Sequence, residues 1–270
     1  YRYILHLGEI DEMNESIDHA EFGTIVHDTL EELYRPLKGQ FITISELEGQ
    51  RIKVSEQVKL QFEKTMDHLN EIAGVNLLNL HAAQRFVHKV IDQDIEYIEL
   101  NGENSLKFEH AELSAKVDLP IQLPSPFGVV RMAGKIDRLD RIENNQLRIL
   151  DYKTGTVKPN ELKLKEIDSI TESNTNSKAI QLAMYAIMLE KELPTETIVQ
   201  LGISSLRSNV GPILLQIAGT TNHNLGKLIQ DIKPLIIDVI KEMADPGSPF
   251  TQTEEHKTCK YCPYSGICDR

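Results

Sequence analysis

The sequence predicts an α/β fold in which a mixed β-sheet is flanked by helices, with a helical insertion ahead of the sheet. Three observations indicate it. Apolar residues recur at helical spacing through the first third of the chain, alternate with polar residues from about residue 106, and return to helical spacing over residues 178–192. Helices on both sides of a run of strands are typical of a sheet that buries its faces under helices.

The first third of the chain predicts helices with one apolar face each. The helix over residues 19–36 ends at Pro36, because proline cannot continue the hydrogen-bond ladder. Two long amphipathic helices are predicted to follow, joined near Gly74. Their ranges are residues 52–73 and 77–100.

The middle of the chain predicts strands arranged around a β-hairpin. Residues 106–123 alternate between apolar and polar side chains, which is the period of a half-buried strand. Residues 129–143 and 147–155 are strand-like and flank a turn-prone Asn-Asn pair, so we expect a hairpin there. The further predicted strands are residues 197–208 and 212–217.

The remaining segments predict a loop and a C-terminal helix. Residues 171–177 are polar and lack a core residue, so we expect a mobile loop. Residues 222–244 predict a helix with a kink or break at Pro234. We expect a single domain over residues 1–270, with a mainly helical part (20–105), a sheet core that includes the 178–192 helix (106–220), and a C-terminal helix with a cysteine tail (221–270).

The overall composition is ordinary for a soluble globular protein, at 40% hydrophobic and 26% charged residues in 270. No apolar run approaches the ~20 residues that cross a bilayer, and no secretory signal is visible. We therefore expect a cytoplasmic protein without a membrane partner. The net charge of -12 counts against a nucleic-acid partner. Whole-chain charge limits non-specific affinity, however, and does not exclude a local binding groove.

The predicted hairpin carries two aspartates and a lysine in a suggestive arrangement. Residue 144 is midway between Asp137 and Asp151, so a tight turn there sets the two carboxylates nearly opposite each other. Asp151 and Lys153 share one face of their strand, and Asp137 joins them only if the register is even. A divalent cation would relieve the repulsion between the carboxylates. A lysine beside it could stabilise charge on a phosphate under attack.

Plainer interpretations of the same residues exist. An Asp-x-Lys sequence on a strand is usually a solvated face with a weak ion pair. Asp137 could simply pair with Arg138 or Arg141. Spacing alone does not separate these alternatives.

Five short motifs follow one another along the chain. They are G-T-I-V-H (Gly23–His27), G-K-I-D-R (Gly134–Arg138), I-L-D-Y-K-T-G (Ile149–Gly155), Q-L-A-M-Y (Gln181–Tyr185) and C-K-Y-C-P-Y-S-G-I-C (Cys259–Cys268). In this order they resemble the RecB-like branch of the PD-(D/E)XK nucleases, most closely in pattern the AddB-type C-terminal nuclease domain with an iron–sulfur tail. The resemblance extends from residue 23 to residue 268 and implies a restriction-endonuclease-like fold.

The resemblance implies a metal site that holds Mg²⁺ or Mn²⁺. Its ligands would be His27, Asp137, Asp151 and the backbone carbonyl of Tyr152. Lys153 would act on the attacking water and the scissile phosphate, and Asp137, Asp151 and Lys153 would together be the catalytic set. A lone helical histidine is more often a surface or core residue, and only the spacing of His27 after Gly23 favours the ligand role.

Three further residues receive roles from the same resemblance. Gln181 and Tyr185 lie one helical turn apart and would contact the substrate strand or brace Lys153. Ordinary core packing is the alternative for Tyr185, and exposure on the helix surface is the alternative for Gln181. Glu112 matches an acidic position of some relatives and is the least secure assignment.

The cysteine tail indicates a local metal or cluster site, and the resemblance implies that it is an iron–sulfur site. Cys259, Cys262 and Cys268 have metal-ligand spacing, whereas a closed site needs four ligands. The resemblance places the fourth cysteine upstream of residue 1, because the opening residues Tyr1–Leu5 look like the segment that follows it. We expect a [4Fe–4S] cluster in the full-length protein that is lost or incomplete in this fragment. Adventitious zinc and a Cys259–Cys262 disulfide are the alternatives.

The resulting functional hypothesis is a metal-dependent DNA nuclease, an exonuclease of repair or recombination that works on DNA ends with a helicase domain or subunit. The sequence has no GxxxxGK[ST] phosphate loop, so the motor would lie elsewhere. The alternative is a catalytically silent DNA-binding or scaffold domain of a helicase–nuclease complex. A zinc-ribbon interaction module would explain only the cysteine tail.

Overall fold

A computed structural model describes residues 16–66, 72–123, 128–195, 197–208, 211–249, 251–253, 259–260, 262 and 264–269. The helices are α1 (His19–Tyr34), α2 (Ile44–Arg51), α3 (Val54–Thr65), α4 (Gly74–Asn101), α5 (Ser177–Met188) and α6 (Leu225–Ala244). The strands are β1 (Gln40–Phe41), β2 (Lys107–Leu123), β3 (Gly128–Ile142), β4 (Gln146–Lys153), β5 (Lys163–Leu164), β6 (Ile198–Ser205), β7 (Ile213–Leu214), β8 (Gln216–Ile217) and β9 (His223–Asn224).

The strands form one large mixed sheet and one small ribbon. The large sheet has the order β1-β2-β3-β4-β6-β7, and β9 also pairs with β6. All of its pairs are antiparallel except β4 with β6, which run parallel with α5 in the intervening connection. Strands β5 and β8 form the separate parallel ribbon. The predicted class, a mixed sheet flanked by helices, is therefore confirmed.

The sheet separates two hydrophobic cores. One core combines sheet residues such as Ile149 and Ile203 with α5 and α6. The other combines α1, α3 and α4 with residues on the opposite side, among them Phe108 and Tyr152. The middle strands are covered on both faces, so a polar side chain there must find a partner inside the protein. The assignment of residues 1–270 to one domain stays a prediction.

Helix α1 begins at a capping box and presents one apolar face to the second core. The Asp18 side chain accepts hydrogen bonds from the backbone of Ala20 and Glu21, and the Glu21 carboxylate accepts one from the backbone of Asp18. Both contacts satisfy amides that the first helical turn leaves unpaired. Ile25, Val26, Leu30 and Leu33 are buried on the inner face. The helix therefore has a defined start and rotation, which determine where His27 points.

The hairpin between β3 and β4 has the even register on which the site depends. Arg138 pairs with Leu150 and Leu139 pairs with Ile149, so continuing by one step sets Asp137 opposite Asp151. The turn residues Asn144 and Asn145 have φ of 56° and 60°, a left-handed conformation that asparagine tolerates well. The predicted hairpin and its turn are confirmed.

Two predictions of local structure need correction. The helix predicted over residues 52–73 ends at Thr65, and the preceding α2, which begins at a capping box on Thr43, is absent from the prediction. Helix α6 continues through Pro234 without a break, because the apolar face of this helix packs on the first core. The predicted loop over residues 171–177 contains short 3₁₀ turns, and Asn176 donates a hydrogen bond to the Ser169 carbonyl; its mobility stays a prediction.

None of the helices in the described ranges combines the length and hydropathy that a bilayer-spanning segment requires.

Candidate active site

Three potential metal ligands from three different elements converge at one point. His27 on α1, Glu112 on β2 and Asp137 on β3 each offer a ligand atom, and these atoms lie within 4.8 Å of one another. The His27 Nδ1 atom is 3.3 Å from Glu112 Oε1 and 3.5 Å from Asp137 Oδ1. Among the described residues this is the one such group of three. The predicted ligands His27 and Asp137 are thus brought together, and so is Glu112.

The peptide of Tyr152 forms part of the same cluster. The Tyr152 N–H donates to Asp137 Oδ2 at 2.7 Å, and the Tyr152 carbonyl is 3.1 Å from His27 Nε2. The ring of Tyr152 points to the other face of the sheet, into the core under α1 and α4, because side chains alternate along a strand. The predicted carbonyl ligand is therefore next to both the histidine and the first aspartate.

Asp151 is held beside the cluster by Lys153 and α5. Lys153 Nζ is 2.7 Å from Asp151 Oδ2. The other oxygen, Oδ1, accepts hydrogen bonds from Gln181 Nε2 at 2.9 Å and from the Tyr185 hydroxyl at 3.1 Å. Gln181 and Tyr185 therefore hold Asp151 directly and reach Lys153 only through it. The Asp151 side chain is 2% exposed, which excludes the solvated-face interpretation.

Burial and the nearby charge of Asp137 raise the pKa of Asp151, and the Lys153 ammonium only partly offsets them. A raised pKa is expected where two carboxylates repel each other in a poorly hydrated site. A bound cation would relieve that cost. The opposite alternative for Asp137, a structural pair with a neighbouring arginine, is not seen: Arg138 pairs with Asp94 and Asp140, and Arg141 pairs with Glu109.

Glu112 lies at an irregular point in a strand. Its neighbours Ala111 and Leu113 pair with Arg138 and Ile136, so Glu112 faces Asp137. Its φ of 49° is in the left-handed region, where residues with a Cβ are strained. Such strain persists where surrounding contacts over-determine it, often at functional sites. Although burial raises the pKa of Glu112, hydrogen bonds from His27 and Lys135 lower it below its usual range, so the group is anionic.

His27 is strongly basic in the absence of a metal. Burial lowers its pKa, but hydrogen bonds and charges from Asp137 and Glu112 outweigh burial and raise the pKa to about 10. At neutral pH the imidazole is therefore protonated. A metal that binds an imidazole nitrogen of His27 must displace a proton. Metal affinity should therefore increase with pH.

The charge of His27 makes a pH-dependent contribution to stability that can be measured without metal. A pKa raised from 6.5 to about 10 means that the stabilisation is complete below pH 6.5 and is lost as pH rises through 10. In EDTA we expect His27→Gln to lower the free energy of unfolding by on the order of 2–4 kcal/mol at pH 6. The difference from wild type should shrink steadily between pH 7 and pH 10, as followed by urea unfolding. A difference that grows with pH would contradict the assigned charge.

The cluster opens into a cleft of about 540 Å³ between the start of α1 and the segment that follows β4. One wall consists of α1 residues near Gly23 and His27, and the other of residues 153–157 with Lys178. Glu112, Lys135 and Asp137 lie at its base. The carboxylates therefore face solvent-accessible space that an anionic chain could enter.

The donor set fits a divalent metal. Carboxylate oxygens, a backbone carbonyl oxygen and an imidazole nitrogen are ligands that Mg²⁺ and Mn²⁺ accept. His27, Glu112, Asp137 and the Tyr152 carbonyl would hold the ion, with Asp151 next to it.

Cys259, Cys262 and Cys268 are not among the described residues that line the cleft. All three are thiols of intermediate exposure, and the alternative Cys259–Cys262 disulfide is not formed. The segment is tied by short-range turns, such as the bond from the Cys262 amide to the Cys259 carbonyl at 3.0 Å. The opening segment Tyr1–Leu5 lies outside the described residues. The iron–sulfur cluster stays a prediction.

Sequence reasoning missed two features of this site. Lys135 contacts Glu112 at 2.7 Å and lines the cleft; strand alternation from Asp137 could have placed it on that face. Asp94 is buried within the apolar stripe of α4, where Val87, Val90, Ile91 and Ile98 surround it in sequence. A charge in an apolar stripe was the available signal for a buried partner.

The chain is similar to known proteins at three levels: a family, curated relatives and a solved structure. The family model described as the PD-(D/E)XK nuclease superfamily matches residues 1–269. Two subunits of ATP-dependent helicase/deoxyribonucleases, from Thermoanaerobacter sp. (strain X514) and Thermoanaerobacter pseudethanolicus, are each 24% identical over 195 residues. These alignments cover 52% of this chain and 17% of each relative, so the chain spans less than a fifth of their length. A crystal structure of SSO0001 aligns over 91% of this chain and 94% of its own at 13% identity, with a TM-score of 0.29 that is too low to indicate a shared fold.

Proposed function

Because this chain belongs to the PD-(D/E)XK nuclease superfamily, we propose that it hydrolyses phosphodiester bonds of DNA with the help of Mg²⁺ or Mn²⁺. The single observation that carries the proposal is the convergence of His27, Glu112 and Asp137, with the Asp151–Lys153 pair alongside. Five separate elements supply these groups and the residues that hold them.

Each group has a chemical task in the hydrolysis. When bound, the divalent cation would neutralise the clustered carboxylates and polarise a phosphoryl oxygen. The water oxygen forms a bond to phosphorus and gives its proton to solvent or a nearby base, while the bond to one ester oxygen breaks and that oxygen keeps the electron pair and takes up a proton from solvent. Lys153 orients the water and stabilises negative charge on the phosphate oxygens. Asp151 fixes the Lys153 ammonium, and Gln181 and Tyr185 fix Asp151.

The more specific part of the proposal is an exonuclease that shortens single-stranded DNA ends during repair or recombination. The support is the name of the two relatives, which joins a helicase to a deoxyribonuclease. We propose that a helicase domain or subunit outside this chain supplies the DNA strand. A [4Fe–4S] cluster on Cys259, Cys262 and Cys268 belongs to the same proposal and rests on their spacing.

Metal removal tests the proposal. With end-labelled single-stranded DNA we expect shortening in Mg²⁺ or Mn²⁺ and a rate at least about 1,000-fold lower in EDTA, because a metal supplies several kcal/mol of transition-state stabilisation. Circular single-stranded DNA of the same composition should resist cleavage by an exonuclease. EDTA-resistant cleavage would contradict the proposal. DNA binding without metal-dependent cleavage would instead favour the silent scaffold.

A further inference from the structure

A fully buried ionic cluster lies directly behind the site, on the opposite face of the same strands. The Arg138 side chain is 2% exposed, although it follows Asp137 in the sequence. Its Nε donates to both oxygens of Asp140, at 2.8 and 2.9 Å, and its Nη1 donates to Asp94 Oδ2 at 2.7 Å. The guanidinium also lies 4.8 Å from the ring centroid of Tyr34, so the charge is enclosed by two carboxylates and an aromatic face.

Tyr152 connects this cluster to the site. Arg138 Nη1 donates to the Tyr152 hydroxyl at 3.2 Å. The main chain of the same residue donates to Asp137 and carries the carbonyl beside His27. The Tyr152 ring also packs edge-on against the His27 ring, with 5.8 Å between centroids. A shift of this ring would therefore move the peptide and the imidazole on the metal side.

Stability does not by itself account for the cluster. A buried ion pair is weak evidence of stabilisation, because apolar residues of similar volume often serve as well or better. Apolar residues, however, cannot make directed hydrogen bonds. Because Asp140 and Asp94 hold the guanidinium of Arg138 in one orientation, the direction of its hydrogen bond to Tyr152 is also fixed. This hydrogen bond reaches Tyr152, the residue whose peptide lies beside the proposed metal ligands.

We propose that Arg138, held by Asp94 and Asp140, acts as a positioning residue that sets the Tyr152 peptide for metal binding through the Tyr152 hydroxyl. The inference rests on the proposed metal site and deepens it. The peptide delivers an N–H that orients the Asp137 carboxylate and a carbonyl that faces the metal position. Groups that orient metal ligands commonly change affinity by about 10- to 100-fold when they are removed.

Tyr152→Phe is the sharpest test, because it deletes only the hydroxyl that Arg138 contacts. Tyr34→Phe is its matched control. The Tyr34 hydroxyl donates to the same Asp94 oxygen that binds Arg138, but the Tyr34 peptide has no contact with the metal ligands among the described residues. Both variants lose one buried hydroxyl in one cluster, so a merely structural role predicts similar effects in the two proteins.

We expect the Kd for Mn²⁺, measured by calorimetry without DNA, to rise roughly 10-fold in Tyr152→Phe and to change less than about twofold in Tyr34→Phe. Cleavage by Tyr152→Phe should recover most of its kcat when Mn²⁺ is raised to saturation. The electron paramagnetic resonance spectrum of bound Mn²⁺ should change in Tyr152→Phe alone, because its ligand geometry is altered.

The outcomes separate this inference from the proposed function. If wild type binds Mn²⁺ and both variants bind it equally well, the positioning role is overturned while the metal site stands. Equal weakening in both variants would also overturn it, since general loosening of the cluster would then explain the loss. If the wild-type protein itself binds no Mn²⁺ and cuts no DNA, the proposed function fails and the inference fails with it.

Discussion

The variant Lys153→Ala is expected to cut DNA about 100- to 1,000-fold more slowly than wild type, the usual cost of removing one group that stabilises charge in the transition state. Lys153 Nζ is fixed 2.7 Å from Asp151 and lies in the wall of the cleft. Its ammonium is therefore available to a phosphate without prior rearrangement. Because Lys153 is not a ligand, the affinity for Mn²⁺ should stay within a few-fold of wild type. Single-turnover cleavage and calorimetry measure the two quantities separately.

Lys178→Ala is the matched control for that experiment. Lys178 lines the same cleft, but its Nζ pairs with Glu161, which lies away from the metal ligands. Loss of this charge should weaken DNA binding, raise KM and leave kcat close to wild type, because a distant phosphate contact acts equally on substrate and transition state. If the two lysine variants lose kcat to the same extent, Lys153 contributes only general positive charge and its catalytic role is wrong.

The central hairpin could be predicted because its information is local. Two neighbouring asparagines that tolerate left-handed φ define the turn, and a side-chain period of two then aligns Asp137, Asp151 and Lys153. The register that sequence reasoning left open is settled by the pairs next to the turn. Local propensity and long-range pairing agree there, which is the condition under which a sequence pattern is reliable.

The rest of the site depends on packing between distant segments. His27 meets Asp137 only because α1 packs on the sheet at one angle and rotation, and nothing in its own sequence defines that angle. Glu112 itself has a strained backbone with positive φ in β2, and strand alternation does not anticipate that its side chain faces Asp137. The Arg138 cluster likewise joins β3 to the middle of α4 through Asp94. The missed α2 is a different case, because the capping box of Thr43 and Glu46 at its start is a local signal.

Asp137→Asn should have the largest effect on both metal binding and catalysis. The substitution keeps the size of the side chain and an oxygen that can accept from the Tyr152 amide, but it removes one of the two carboxylates at the metal position. We expect Mn²⁺ affinity to fall at least about 100-fold, beyond the usual effect of an orienting group. Cleavage at a fixed Mn²⁺ concentration should then fall roughly 1,000-fold or more.

The stability of the same variant distinguishes a ligand from a structural aspartate. In EDTA two effects oppose each other: repulsion of Asp151 is relieved, and an ion pair with His27 is lost. The free energy of unfolding should therefore change by less than about 2 kcal/mol.

Wild type should gain about 2.7 kcal/mol from Mn²⁺ at 100 times its Kd, whereas Asp137→Asn should gain almost nothing. The exposed Asp118, paired with Arg131, provides the control, and Asp118→Asn should retain the full gain. Loss of a metal ligand should abolish the stabilisation by Mn²⁺ and leave the stability of the metal-free protein almost unchanged. If Asp137→Asn is instead much less stable in EDTA and is still stabilised by Mn²⁺, Asp137 has a structural role and is not a ligand.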